Sequence, residues 1–432
     1  MALLALLSAA APSLHAQARK AAEGEAYLSA PELKGDEKSR FTSLGQGTQA
    51  VTPKDAEAGG LLEKAAQFYV FRVTWPWYQV KDPEKGDPRT MREIVDEAFH
   101  SLPDRKKKLN DEQQRFLEEY SKKLVESIKV VLQNPTPIAR VNAARILAHL
   151  AETGQENLTA PLVELLEDAK QFDGVKFYAL RGLRDLFANG FKKTATAPDE
   201  RLVRGAQALI NFINRKPTYG PGASPLEIEA FHYLGREAIR ALGQCRWPAL
   251  IQNGRVVGQP ALVLLRVLVK ADQVDPKPSN SEQEEAAIGL CQMQSGLVKS
   301  YRPSYAAPFV GSFLVEFGTR YVGEKDPSDR TETWKVQAAR LTEALNAWKA
   351  DNSMDAYIAG LVGKAVPLLR DMESGRTATP GALGTWLEKQ EPPKVNRLFE
   401  DDPASVVVPG SEEKKPAAQE EKKNTPAEEK KK

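Results

Sequence analysis

The chain has 432 residues, 60 Lys and Arg against 58 Asp and Glu (net charge +2), 41% hydrophobic residues and two cysteines. So balanced a charge creates no large single-sign field, which argues against nucleic acid as a partner. Two cysteines without a CxxC spacing argue against a structural zinc site. Cys245 and Cys291 read as buried thiols in preference to a disulfide.

In chain order, the apolar run from Met1 to Ala11 followed by Ala16-Gln17-Ala18 has the shape of a secretory signal over residues 1–18, although its first residues lack a Lys or Arg. The run is too short for a permanent span, and no later segment is long and apolar enough for a transmembrane helix. The expectation is an exported protein, periplasmic or extracellular, in a bacterial envelope. Residues 19–60 lack a sustained apolar period and predict a disordered leader. Structure is expected from Leu61, where a helix buries Leu61, Leu62, Ala65, Phe68 and Tyr69. The proline-containing loop that follows carries Trp75, Trp77 and Tyr78. These rings suit a cap pinned on the first helices, or alternatively a platform for a carbohydrate or other small ligand. Helices are predicted over Arg89–Leu102 and Glu112–Leu132, the second with the stripe Phe116, Tyr120, Leu124 and Ile128.

The next stretch organises the chain. Ala143, Leu147 and Leu150 lie on one helical face, and the pattern returns as Ala179, Leu183 and Leu186. It recurs again as Ala238, Leu242 and Cys245, then as Ala286, Leu290 and Met293. A small residue followed by two larger ones lets a neighbouring helix approach and fills the gap beside it. Irregular intervals between copies suit helical hairpins joined by loops of varying length. Further helices are predicted over Asp199–Asn214, Leu226–Gln244, Pro260–Ala271, Glu282–Gln294, Ala306–Val322, Arg330–Ala350 and Met354–Met372. The insertion between Cys245 and Gln259 predicts at most one short turn of helix, and Val336, Leu341, Leu345 and Trp348 are expected to line one inner face. Residues 377–410 read as an irregular capping segment in which Trp386 and Leu387 make a last contact. Residues 411–432, built from Glu, Lys, Ala and Pro, read as a disordered tail.

No catalytic constellation emerges from the sequence. Beyond the signal, the histidines are His100, His149 and His232, and none has a second His three or four residues away. Nor is there a GxSxG elbow, and the segment from Gly318 to Lys325 has Glu324 where a phosphate loop needs lysine. Neither a cofactor nor a metal is expected. What does recur is basic: Arg140, Arg145, Lys176, Arg181, Arg184, Arg236 and Arg240 sit on the triplet-bearing helices. They form either a ladder facing an acidic protein partner or a set of ion pairs with acids of the preceding repeat, such as Glu167 and Asp168, that satisfy helix ends.

The segment from Pro137 to Ala188, opening with a PxxARxxAAxxLAxL pattern, resembles HEAT-type repeats, and Arg236 to Gly243 looks like the same repeat helix. Arg140 and Lys176 match the basic position of that family, whereas Gly235 stands there in the next unit. The resemblance implies an all-α fold, an α-solenoid of irregular HEAT-like hairpins over residues 61–376, which works as a scaffold and carries no catalytic residues. The expected function is a non-enzymatic exported scaffold binding a protein partner through one helical-repeat face. The alternative is a ligand-binding module built on Trp75, Trp77 and Tyr78.

Overall fold

The computed structural model describes residues 27–400 apart from 76–77, 79–88, 100–101, 104–108, 192–196, 218, 221, 272–273 and 325–331. The expected signal, the first part of the leader, the 411–432 tail, Trp77 and His100 lie outside the described residues.

The fold is all-α. Its helices are α1 (Gly35–Gly45), α2 (Pro53–Ala56), α3 (Leu61–Phe71), α4 (Met91–Glu97), α5 (Asp111–Val131), α6 (Pro137–Ala151), α7 (Thr159–Glu167) and α8 (Asp173–Asn189). There follow α9 (Glu200–Ile213), α10 (Pro225–Gln244), the strands β1 (Leu250–Gln252) and β2 (Arg255–Gly258), then α11 (Pro260–Leu268) and α12 (Asn280–Gln292). The chain continues through α13 (Pro303–Gly323), α14 (Glu332–Asp351), α15 (Ala356–Glu373) and α16 (Pro380–Lys389).

Two layers result. One is the row α6, α8, α10, α12, α14, in which each helix packs on the next; behind it, α7, α9, α11 and α13 form a second row. The hairpins α7–α8, α9–α10 and α11–α12 join the layers, and α15 closes the far end against α14 and α13. That is a solenoid of helical pairs. Its axis follows from the triplets, since every side chain of all four is buried between neighbouring helices. Capping boxes start the central helices, Ser224 with Glu227 for α10 and Ser279 with Glu282 for α12.

Four sequence expectations need correction. The leader is not structureless up to residue 60: from Leu28 onward it packs on the first repeats, and Phe41 of α1 meets the rings of Phe116 and Tyr120 at 5.4 and 4.9 Å. Its stripe, Phe41 and Leu44, is too short to register as periodicity. Between α10 and α11 the chain forms a β-hairpin instead of a helical turn. Asn253 and Gly254 take left-handed φ values of 51° and 74°, as a two-residue primed turn requires. Val336 is 55% exposed, because the buried face of α14 runs through Ala338, Leu341, Leu345 and Trp348, on the opposite side. The segment after residue 377 contains a regular helix, α16, packed on α13, with Leu387 over Gly311 and Trp386 over Gly360.

Candidate functional site: an ion ladder and cavity on the α8–α14 row

On α10 the residues Leu226, Ala230, Tyr233, Glu237, Arg240 and Gln244 follow one another at three- and four-residue steps, so they share one face of a helix about 30 Å long. That face carries two recesses. Near the start of α10, Leu226 and Tyr233 join Phe177 of α8 around an apolar recess of about 510 Å³, with Leu226 76% exposed. Toward its end, a cavity of about 460 Å³ is enclosed by Arg184, Arg240, Gln244 and Arg246 on one side and Arg340, Glu343, Ala347 and Asp351 on the other. Its floor is α12, through Glu285, Ile288 and Gly289.

Charges alternate along this row. Arg184 Nη1 lies 3.9 Å from Glu237 Oε2, and Arg240 Nη1 donates to Glu237 Oε1 at 3.0 Å. Arg240 also donates to Glu285, to which Arg340 donates through both Nη atoms at 2.8 and 2.6 Å. Arg340 lies 3.7 Å from Glu284 Oε1, and Arg236 3.6 Å from Glu237. One ladder therefore stitches α8, α10, α12 and α14 together. The acids are its buried members: Glu237, Glu284 and Glu285 are 4%, 3% and 2% exposed. Burial alone would raise the Glu285 carboxyl, but hydrogen bonds from Arg340 and Arg240 outweigh it and hold the group below its ordinary value.

Glu284 behaves oppositely. Its buried Oε1 lacks a hydrogen bond, and burial, reinforced by the neighbouring Glu285 charge, pushes the carboxyl from 4.5 up to about 7 against the pull of Arg340. The folded chain thus keeps a proton that the unfolded chain releases between these values, so this group stabilises the fold fully at low pH and loses its contribution as pH rises through about 7. Glu284→Gln should remove that dependence. Urea denaturation should show it more stable than the parent by on the order of 2 kcal/mol at pH 8 and unchanged near pH 4. An equal effect at both pH values would refute the assignment.

The sequence-predicted basic residues are divided by this geometry. Arg184, Arg236 and Arg240 belong to the ladder; Arg145 pairs instead with Asp96 at 3.7 Å. Arg140 donates to the Asn134 carbonyl and sits over the Phe172 ring, while Arg181 lies over Phe177 and Tyr178. Lys176 lines a neighbouring recess with Asp173 and Tyr219. A continuous basic ladder is therefore replaced by an alternating one, and the acids involved are those of α10 and α12, not Glu167 and Asp168. Sequence reasoning missed Arg340, Arg246 and the three glutamates. Arg340 had a readable signal: it stands two residues after buried Ala338, as Arg240 does after Ala238.

The other candidates are structural. Trp75 donates its indole N–H to the Leu28 carbonyl at 2.8 Å and stacks on Tyr78, which is only 6% exposed, so these two rings clamp the leader. His232 contacts Glu282 at 2.7 Å and ties α10 to the start of α12, and His149 lies against Glu152 and Phe99. Cys245 and Cys291 are free buried thiols; burial pushes Cys245 up to about 12 and Cys291 higher still. Among the described residues no cluster of His, Cys, Asp and Glu is arranged to hold a metal, and no helix is long and apolar enough to cross a membrane. Compared with known proteins, the chain matches no family model, and neither a curated protein nor a solved structure matches it significantly.

Proposed function

We propose that this chain is a non-catalytic, HEAT-like helical-repeat scaffold that holds a segment of a protein partner along the α8–α14 face, in an exported setting. The observation that carries this reading is the continuity of the face along α10, apolar around Leu226 and Tyr233 and ionic around Arg240 and Gln244. A protein segment can bury apolar area at one end and pair charges at the other, as interfaces with an apolar centre and a polar rim do. Export is supported by the apolar start and the Ala16-Gln17-Ala18 pattern.

Site-specific photo-crosslinking tests the face. A photoreactive residue at Tyr233 and, separately, at Ala347 should label one and the same protein in the cell envelope. At exposed Arg204 on α9, in the opposite layer, it should not. Different proteins from the first two positions, or equal labelling from Arg204, would refute the reading.

A further inference from the structure

We infer that the cavity between α10 and α14 receives a single carboxylate carried by a peptide, and that Arg246 is its anchor. The inference rests on the proposed scaffold reading and adds what the ionic end of the face recognises. Four guanidiniums, from Arg184, Arg240, Arg246 and Arg340, line the cavity, against three carboxylates, from Glu285, Glu343 and Asp351. Acids behind the lining engage three of these cations as well: Asp185 and Glu237 pair with Arg184, Glu237 also pairs with Arg240, and Glu284 with Arg340. Three of the arginines already face buried acids; among the described residues, Arg246 is the lining arginine with no carboxylate in ion-pair range.

Its setting is unusual in a second way. Arg246 adopts φ of 63°, a left-handed conformation that costs a non-glycine residue energy and that clusters at functional positions. The strained backbone is held by the Gln294 amide, which donates to the Arg246 carbonyl at 2.9 Å. A half-buried guanidinium is thereby kept at the cavity wall without a counter-ion. A planar carboxylate supplies the partner that guanidinium lacks. The same lining selects against a more highly charged anion. A phosphate would bring up to two negative charges to a site with one unpaired cation, Arg246, beside the acids Glu343 and Asp351. Ile288, Met293 and Ala344 then offer apolar contact to the methylenes or backbone that carry the carboxylate.

The test uses the full chain and a mixture of N-acetylated hexapeptides prepared with free C-termini or carboxamides, with and without internal Asp or Glu, and a phosphoserine set. Affinity selection read by mass spectrometry should retain carboxylate-bearing peptides over their neutral counterparts. Arg246→Gly suits the left-handed backbone, so it should keep or raise the melting temperature while weakening retention about tenfold or more. Arg246→Lys should restore part of the binding, and Arg370→Gln on α15 should change nothing. Equal retention of neutral peptides, equal retention by Arg246→Gly, preference for phosphoserine, or retention of no peptide would each overturn the inference. Crosslinking from Tyr233 and Ala347 is read independently, so a failed anchor leaves the scaffold reading distinguishable.

Discussion

Glu285→Ala is expected to lower the stability of the fold by about 3–5 kcal/mol in urea denaturation, the range for breaking a buried ion pair from one side. Glu285 is 2% exposed and is the acid shared by Arg240 and Arg340, so its removal takes both carboxylate hydrogen bonds from Arg340 and leaves Arg240 with Glu237 alone. The arginines themselves are 26% and 32% exposed, which sets the competing expectation. If their side chains swing freely to water, the loss should shrink to the 1 kcal/mol or less typical of surface pairs. Geometry decides against that escape, because Arg340 is held at both Nη atoms and Arg240 Nε is already enclosed. Glu285→Gln keeps an acceptor and should cost less than alanine. Exchanging the whole triad, as Arg240→Met, Glu285→Leu and Arg340→Met together, should recover part of the stability, because buried Glu237 then keeps only Arg236 and Arg184, at 3.6 and 3.9 Å. A loss below about 1 kcal/mol for Glu285→Ala would show that the ladder is a surface feature and not a buried seam.

How much of this was readable from residues alone depends on whether the information is periodic. The row of helices is periodic, and the triplets from Ala143 to Met293 mark its buried seam because a small residue and two larger ones at helical spacing can serve little else. The arginines two residues beyond the small position, Arg145, Arg181, Arg240 and Arg340, share the register. Their partners do not. Glu237 and Glu285 immediately precede Ala238 and Ala286, so each lies near the seam, but which neighbouring helix supplies its cation is a matter of tertiary packing that spacing does not encode. Asp96, the partner of Arg145, comes from the N-terminal cap and from outside the repeat altogether. The hairpin after α10 was legible in the Asn253-Gly254 dipeptide, yet its strands are too short and too exposed to show alternation. Arg246 left no trace in the pattern, since its distinction is a backbone angle and a missing counter-ion.

Gly243→Val should be comparably damaging, for a reason that side-chain chemistry cannot soften. Where α10 crosses α12 the two backbones touch: a Cβ on Gly243 would fall 2.8 Å from Gly289 Cα, and one on Gly289 would fall 3.1 Å from Gly243 Cα. A flexible neighbour could turn away, but a backbone atom moves only with its helix. Overpacking typically costs 1–3 kcal/mol. Here the same displacement also separates Arg240 from Glu285, each within about a turn of the crossing, so a loss of about 4 kcal/mol is expected. Gly243→Ala should fall between this variant and the parent. Gly363→Ala, at an exposed position of α15 with open space around its Cβ, supplies the contrast: it should be neutral or stabilising by up to about 1 kcal/mol, since alanine favours the helix. Because Gly289 forms part of the cavity floor, the Gly243→Val chain should lose carboxylate-peptide retention together with its stability, whereas Arg246→Gly loses retention alone. That divergence separates a residue that holds the site open from one that fills its chemistry. A Gly243→Val protein as stable as its parent would mean that α10 and α12 slide apart at little cost, and a ladder bridging such mobile helices could not hold the cavity in one shape.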